Sequence, residues 1–146
     1  MRSVAEILKS KLDNTVYTIG RDATVFEAVR LMAEKNIGSL VVMEGDEIVG
    51  IVTERDYARK IVLMTRSSRE TPVRDIMTAS VLRVTPSQRS LECMTLMTEN
   101  RLRHLPVVDG SKLVGLVSIG DLVKDIIAQQ ELVIRQLEHY IAGEPM

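Results

Sequence analysis

The chain has 146 residues, enough for one compact domain or two very small ones, and its 19 basic and 20 acidic residues leave no field to hold a nucleic-acid backbone. Cys93 is the single cysteine, which excludes an internal disulfide, a CxxC redox pair and a multi-cysteine zinc site, and fits a reducing cytoplasm. No apolar run approaches the roughly 20 residues that cross a bilayer, so a soluble cytoplasmic protein without a membrane or nucleic-acid partner is expected.

In chain order, Val4-Ala-Glu-Ile-Leu8 reads as a short amphipathic helix, and an entry strand is expected around residues 16–19. Thr24-Val-Phe-Glu27 is a capping box, in which the Thr oxygen and the Glu carboxylate satisfy orphan N–H groups. Val25, Ala28, Val29 and Met32 then recur at helical spacing, predicting a helix to about Lys35 that stops near Asn36 and Gly38. The β-branched run 40–43, the turn residues Gly45-Asp46 and the apolar run 48–52 predict a strand hairpin. Thr53 can cap a further helix through Tyr57, Ala58 and Ile61. Residues 64–72 are polar, rich in Ser and Arg and broken by Pro, as a surface linker should be. Beyond it Val73-Arg-Asp-Ile-Met77 repeats the opening helix. The chain closes with a helical tract from Leu122 to about Ile141. Val123, Ile126, Ile127, Val133, Ile134, Leu137 and Ile141 give it an apolar face longer than its own half needs, which invites a partner.

The chain repeats itself. Residues 17–63 align with 82–128 at an offset of 65 without a gap, so that GIVTERD (residues 50–56) falls on GLVSIGD (115–121). Glu27 and Glu92, Leu31 and Leu96, Met32 and Met97, Leu40 and Leu105, Val42 and Val107, and Val52 and Val117 are identical pairs. Mostly apolar matches imply one core plan used twice, each copy β-α-β-β-α. Cys93 replaces Ala28 on an apolar helix face, where a buried and inert thiol is the default, and the eight Met residues, several on the repeat helices, read as core filler rather than a metal or cofactor box.

The stretches VRDIMTASVLRVTPSQRSLECMTLM, RLRHLPVVDGSKLVGLVSIGDL and IGSLVVMEGDEIVGIVTERDY together resemble a tandem pair of cystathionine β-synthase (CBS) domains, the Bateman module, over nearly the whole chain. The resemblance implies an α/β (α+β) fold of two pseudo-symmetric CBS repeats packed sheet to sheet, with two clefts between them. It also implies adenine-containing ligands, among them AMP, ADP, ATP, S-adenosylmethionine and a nicotinamide dinucleotide such as NAD, and pairing of two modules into a disc-shaped homodimer. The domains expected are repeat 1 at 1–64, a linker at 65–72, repeat 2 at 73–128 and a C-terminal helical extension at 129–146.

The residues suit such a ligand. Thr53 and Ser118 each end a strand and begin a helix, where free N–H groups and the positive dipole end favour a phosphate. Asp56 and Asp121 lie one helical turn in, and an ionised carboxylate offers two acceptor oxygens to the two donors of a ribose 2′,3′-diol. Adenine would lie between apolar strand residues, Ile19 and Ile37 in one copy or Val84 and Leu102 in the other. Arg55 stands where the second copy has Gly120, and Arg103-His104 stand where the first has Gly38-Ser39. By analogy with the family these positions border the clefts, and Arg55 and Arg103 can reach phosphates. His104 could equally satisfy a backbone carbonyl.

Thr-x-x-Asp and Ser-x-x-Asp are also capping boxes, the plainer reading of either alone; the duplication and the resemblance favour a nucleotide site, and both roles can coexist. Three functions stand: an adenine-nucleotide sensor that signals to an unidentified regulated protein, a dimerising interaction module with empty or structural clefts, and an enzyme acting on nucleotides. Against the enzyme, no nucleophile–base pair or metal-ligand cluster is evident, and His104 and His139 do not form one. No metal is expected.

Overall fold

The computed structural model describes residues 2–11 and 14–143. The expected domain limits at 1 and 146 lie outside the described residues. The fold is mixed α/β, with two sheets and five α-helices among the described residues. The chain divides into two compact units.

The first unit comprises Thr15–Leu82 with Gly110–Lys112. Its sheet has the order β1-β2-β3, from β1 (Thr18–Gly20), β2 (Ser39–Glu44) and β3 (Glu47–Thr53). β1 runs parallel to β2 and β3 antiparallel to it, through the turn at Gly45, whose φ of 60° suits a residue without Cβ. Helix α2 (Val25–Lys35) starts on Thr24, whose hydroxyl accepts from the Glu27 N–H, and ends on left-handed Asn36. Only the Thr half of the expected box forms among the described hydrogen bonds. Helix α3 (Glu54–Tyr57) continues as a π-helical turn, Ala58–Val62. Val25, Ala28, Met32, Leu40, Val42, Val52 and Ile61 make the core, and Val73 and Ile76 complete it.

The second unit comprises Arg83–Asp109 and Leu113–Met146 with the chain start, Met1–Asn14. Helix α1 (Val4–Ser10) packs Val4 and Ile7 into a core of Val84, Cys93, Met97, Leu105, Val107, Val117 and Leu122. Helix α4 (Ser90–Asn100), the hairpin β4 (His104–Asp109) and β5 (Lys112–Ser118), and helix α5 (Ile119–Ile141) follow. Arg2 ties the chain start to α5 through buried Asp125, Nε to Oδ1 at 2.5 Å. The compact units therefore cut the chain differently from its duplication: each takes the opening segment that precedes the other repeat.

Two expectations are corrected. The second copy has no entry strand, only a parallel bridge from Val84 to Val107, held by Val84 N to Pro106 O at 2.9 Å and Val108 N to Val84 O at 2.8 Å. In the first copy Val41 N and Arg21 N donate the flanking bonds, to Tyr17 O and Met43 O. At the offset of 65 these donors become Pro106 and Pro86, which have no N–H, and the ladder loses both flanking bonds. Secondly, 73–77 is not a second amphipathic helix but one 3₁₀ turn, Val73–Asp75. Helix α1 has a Ser3–Glu6 capping box, whereas Pro72 at the equivalent cap offers no side-chain acceptor, and Thr78 then pairs with Ile51 in an isolated antiparallel bridge. No described helix is long and apolar enough to cross a membrane.

Candidate functional site

Each unit brings its motif residues together where the hairpin's second strand turns into a helix. In the first, the Thr53 hydroxyl accepts from Asp56 N at 3.1 Å, while Asp56 Oδ2 accepts from Thr53 N at 3.0 Å and from the Thr53 hydroxyl at 3.1 Å. In the second, Ser118 Oγ accepts from Asp121 N at 3.1 Å and Asp121 Oδ2 accepts from Ser118 N at 2.8 Å. Both are complete capping boxes. The first helical N–H is taken as well: Glu54 N donates to Gly38 O at 3.1 Å and Ile119 N to Arg103 O at 2.9 Å. Of the first three N–H groups of each helix, those of Arg55 and Gly120 have no partner among the described hydrogen bonds, so the amide cradle is narrower than the sequence suggests.

Sequence reasoning missed two lysines. Lys60 Nζ lies 3.2 Å from Asp56 Oδ1 and donates to Ile76 O at 2.8 Å. Lys11 Nζ lies 3.0 Å from Asp121 Oδ2 and donates to Leu116 O, also at 3.0 Å. Each ammonium joins the motif carboxylate to a main-chain carbonyl. The repeat does not relate them, because Lys60 falls on Asp125 at the offset of 65, and Lys11 falls on Ser80 at the offset of 69 that relates the two opening segments. Lys60 could have been found from its i,i+4 spacing to Asp56; nothing local points from Lys11 to Asp121.

Of the remaining candidates, Gly38 and Arg103 meet these junctions through their carbonyls, whereas Ile19 and Val84 pair with Val42 and Val107 farther along the strands. Ile19 and Ile37 are half-buried against the first core, Leu102 is half-buried against the second, and Val84 is sealed inside the second core at 1% exposure. Arg55, Arg103 and Gly120 are exposed. Gly38 is close to Glu54, whose Oε1 would lie 3.0 Å from an added Cβ. His104 titrates below its ordinary value, first because it is buried and then through the Lys11 and Arg103 charges, against the pull of Asp121. Among the described residues no group of three or more His, Cys, Asp or Glu is placed to hold a metal ion.

The duplicated glycines have a packing role. A Cβ on Gly50 would stand 2.6 Å from Met77 Sδ, and one on Gly115 2.7 Å from Leu8 Cδ1. Met77 and Leu8 are equivalent positions of the two opening segments, so each Gly makes room for the segment that its unit takes from elsewhere in the chain.

A family model for the CBS domain matches residues 4–63 and 73–128. The CBS domain-containing protein CBSX3, mitochondrial, of Arabidopsis thaliana is 40% identical, over 97% of this chain and 72% of its own length. The Bacillus subtilis CBS domain-containing protein YhcV is 32% identical, over 79% of this chain and 81% of its own. A solved CBS-domain protein from Burkholderia ambifaria is 61% identical with a TM-score of 0.84, covering 88% of this chain and 96% of that one. The CBS domain pair of protein MJ0100, solved with 5′-methylthioadenosine and S-adenosyl-L-methionine, is 22% identical with a TM-score of 0.75 over 88% of this chain and 98% of that one, a likeness of fold.

Proposed function

The chain belongs to the CBS-domain family, and from that premise we propose a regulatory module that binds an adenine nucleotide and signals ligand occupancy to a partner protein through its conformation or its homodimer. The observation that carries this reading is the hydroxyl–carboxylate–ammonium cluster found at both strand-to-helix junctions, with the ammonium drawn from positions the duplication does not relate, Lys60 and Lys11. A cap needs only the hydroxyl and the carboxylate; a cation at the same place in both units suits a phosphate. On binding, the ribose diol donates to Asp56 or Asp121, and the lysine ammonium swings from carboxylate to phosphate. Arg55 in one unit, and Arg103 and His104 in the other, add to the phosphate field, while Gly38 and Gly120 leave its approach open. Adenine rests on Ile19 and Ile37, or on Leu102 beside Val84.

AMP is the ligand this favours, and ATP, ADP, NAD and S-adenosylmethionine share the adenosine that the site would read. The MJ0100 pair supplies the precedent that this fold can hold an adenosyl ligand. The near-neutral charge supports neither a nucleic-acid nor a membrane partner, and the single cysteine suits the cytoplasm.

A second reading has its own observation. Both motif carboxylates already serve as caps and lysine partners, which explains their residue types without a ligand and suits a dimerising interaction module. Calorimetry with an adenine-ligand panel on nucleotide-stripped protein decides between them. AMP binding that Asp56→Ala and Asp121→Ala weaken is expected; no heat from any member of the panel would leave the interaction module.

A further inference from the structure

Along α5, Val123, Ile127, Gln130, Ile134, Leu137 and Ile141 follow one another at alternating steps of four and three, the spacing of the two seam positions of a heptad. The five apolar members are each more than 40% exposed, Ile141 reaching 83%. Such a seam lines one face of the helix, and in a two-stranded coiled coil its residues pack between those of a second helix. The edges of the seam differ. One carries Ile126, Val133 and Tyr140, the other Lys124, Glu131 and Glu138.

We propose that α5 pairs with α5 of a second copy of this chain as an antiparallel two-stranded coiled coil, with Ile127 opposite Leu137, Gln130 opposite Ile134 and Ile141 opposite Val123 of the second copy. This interface deepens the homodimer reading above and does not depend on any ligand. Charge selects the orientation. Antiparallel pairing lays the apolar edges together, Ile126 against Tyr140 of the second copy and Val133 against its counterpart on the two-fold axis. It also brings Lys124 to Glu138 of the second copy twice over, leaving one Glu131 pair on the axis. Parallel pairing would set Ile126 and Val133 against Glu131 and Glu138 of the other helix and leave Lys124 with no acidic residue opposite.

Cysteine cross-linking on the full chain reads the register. The native thiol is a quiet background, because Cys93 is buried and burial pushes its pKa up to about 11. Under mild oxidation the double variant Ile127→Cys/Leu137→Cys should run mostly as a disulfide-linked dimer that reductant dissolves, while Leu137→Cys alone stays at the 16.3 kDa of one chain. Efficient cross-linking of Leu137→Cys alone means a parallel pair and overturns the proposal. So does absence of cross-links in a double variant that melts like wild type. Light scattering on wild type separates the two claims: a dimer without the predicted cross-link retains the homodimer and discards this interface, whereas a monomer discards both.

Discussion

At the residue scale the repeated motif divides into parts with different work. Gly50 and Gly115 are spacers for Met77 and Leu8, so Gly50→Ala and Gly115→Ala should each destabilise by about 1–3 kcal/mol, as overpacking does. Gly20→Ala, with nothing within 4 Å of the new methyl, should stay near wild type in the same urea titrations. A loss no larger than that of Gly20→Ala would remove the packing account. His104 gives a pH test. Its pKa is lower in the fold than the ordinary 6.5, so the unfolded chain binds the proton more readily. Its contribution is whole above about pH 6.5 and is lost as pH falls through the lower folded value. The melting temperature of wild type should therefore drop more between pH 7 and pH 5 than that of His104→Gln, and parallel curves would contradict the burial argument. The sequence displayed the hydroxyl and carboxylate of each junction, because the duplication marks them. Lys11 was illegible there, since its partner Asp121 is brought to it only by packing.

At the element scale, most boundaries were readable because local chemistry sets them. Thr24, Thr53 and Ser118 cap where a hydroxyl precedes an apolar helical period, and Gly45 and Gly110 turn the hairpins at φ near 60°. The missing entry strand of the second copy is legible in Pro86 and Pro106, which stand where the first copy has the donors Arg21 and Val41. What periodicity cannot say is which core an apolar face enters. Val4 and Ile7 look like part of the first repeat but lie in the core of the second, and Val73 and Ile76 do the reverse. Ile7→Ala and Ile76→Ala should each lose about 2–5 kcal/mol by chemical denaturation, because both side chains are fully buried. In amide exchange, Ile7→Ala should loosen α4, β4 and β5, and Ile76→Ala should loosen α2, β2 and β3. The opposite assignment would refute the exchange of opening segments.

At the scale of the whole molecule, the duplication gives one plan twice, and the chain then furnishes each copy differently. The first junction has Lys60 and Arg55 from its own repeat; the second has Lys11 from the chain start, with Arg103 and His104. Position 60 becomes Asp125 in the second copy, whose carboxylate is buried against Arg2, so the cation the repeat lost there returns from the opposite end of the chain. The claim on which the functional account rests is that Asp56 and Asp121 read a ribose. The most direct measurement is calorimetric titration of nucleotide-stripped protein with AMP and with 2′-deoxy-AMP. Removing one hydroxyl leaves a carboxylate oxygen desolvated without its donor, at a penalty on the order of 1–3 kcal/mol, so the deoxy ligand should bind roughly 5- to 150-fold more weakly. Equal affinities for the two would contradict the ribose role of both carboxylates.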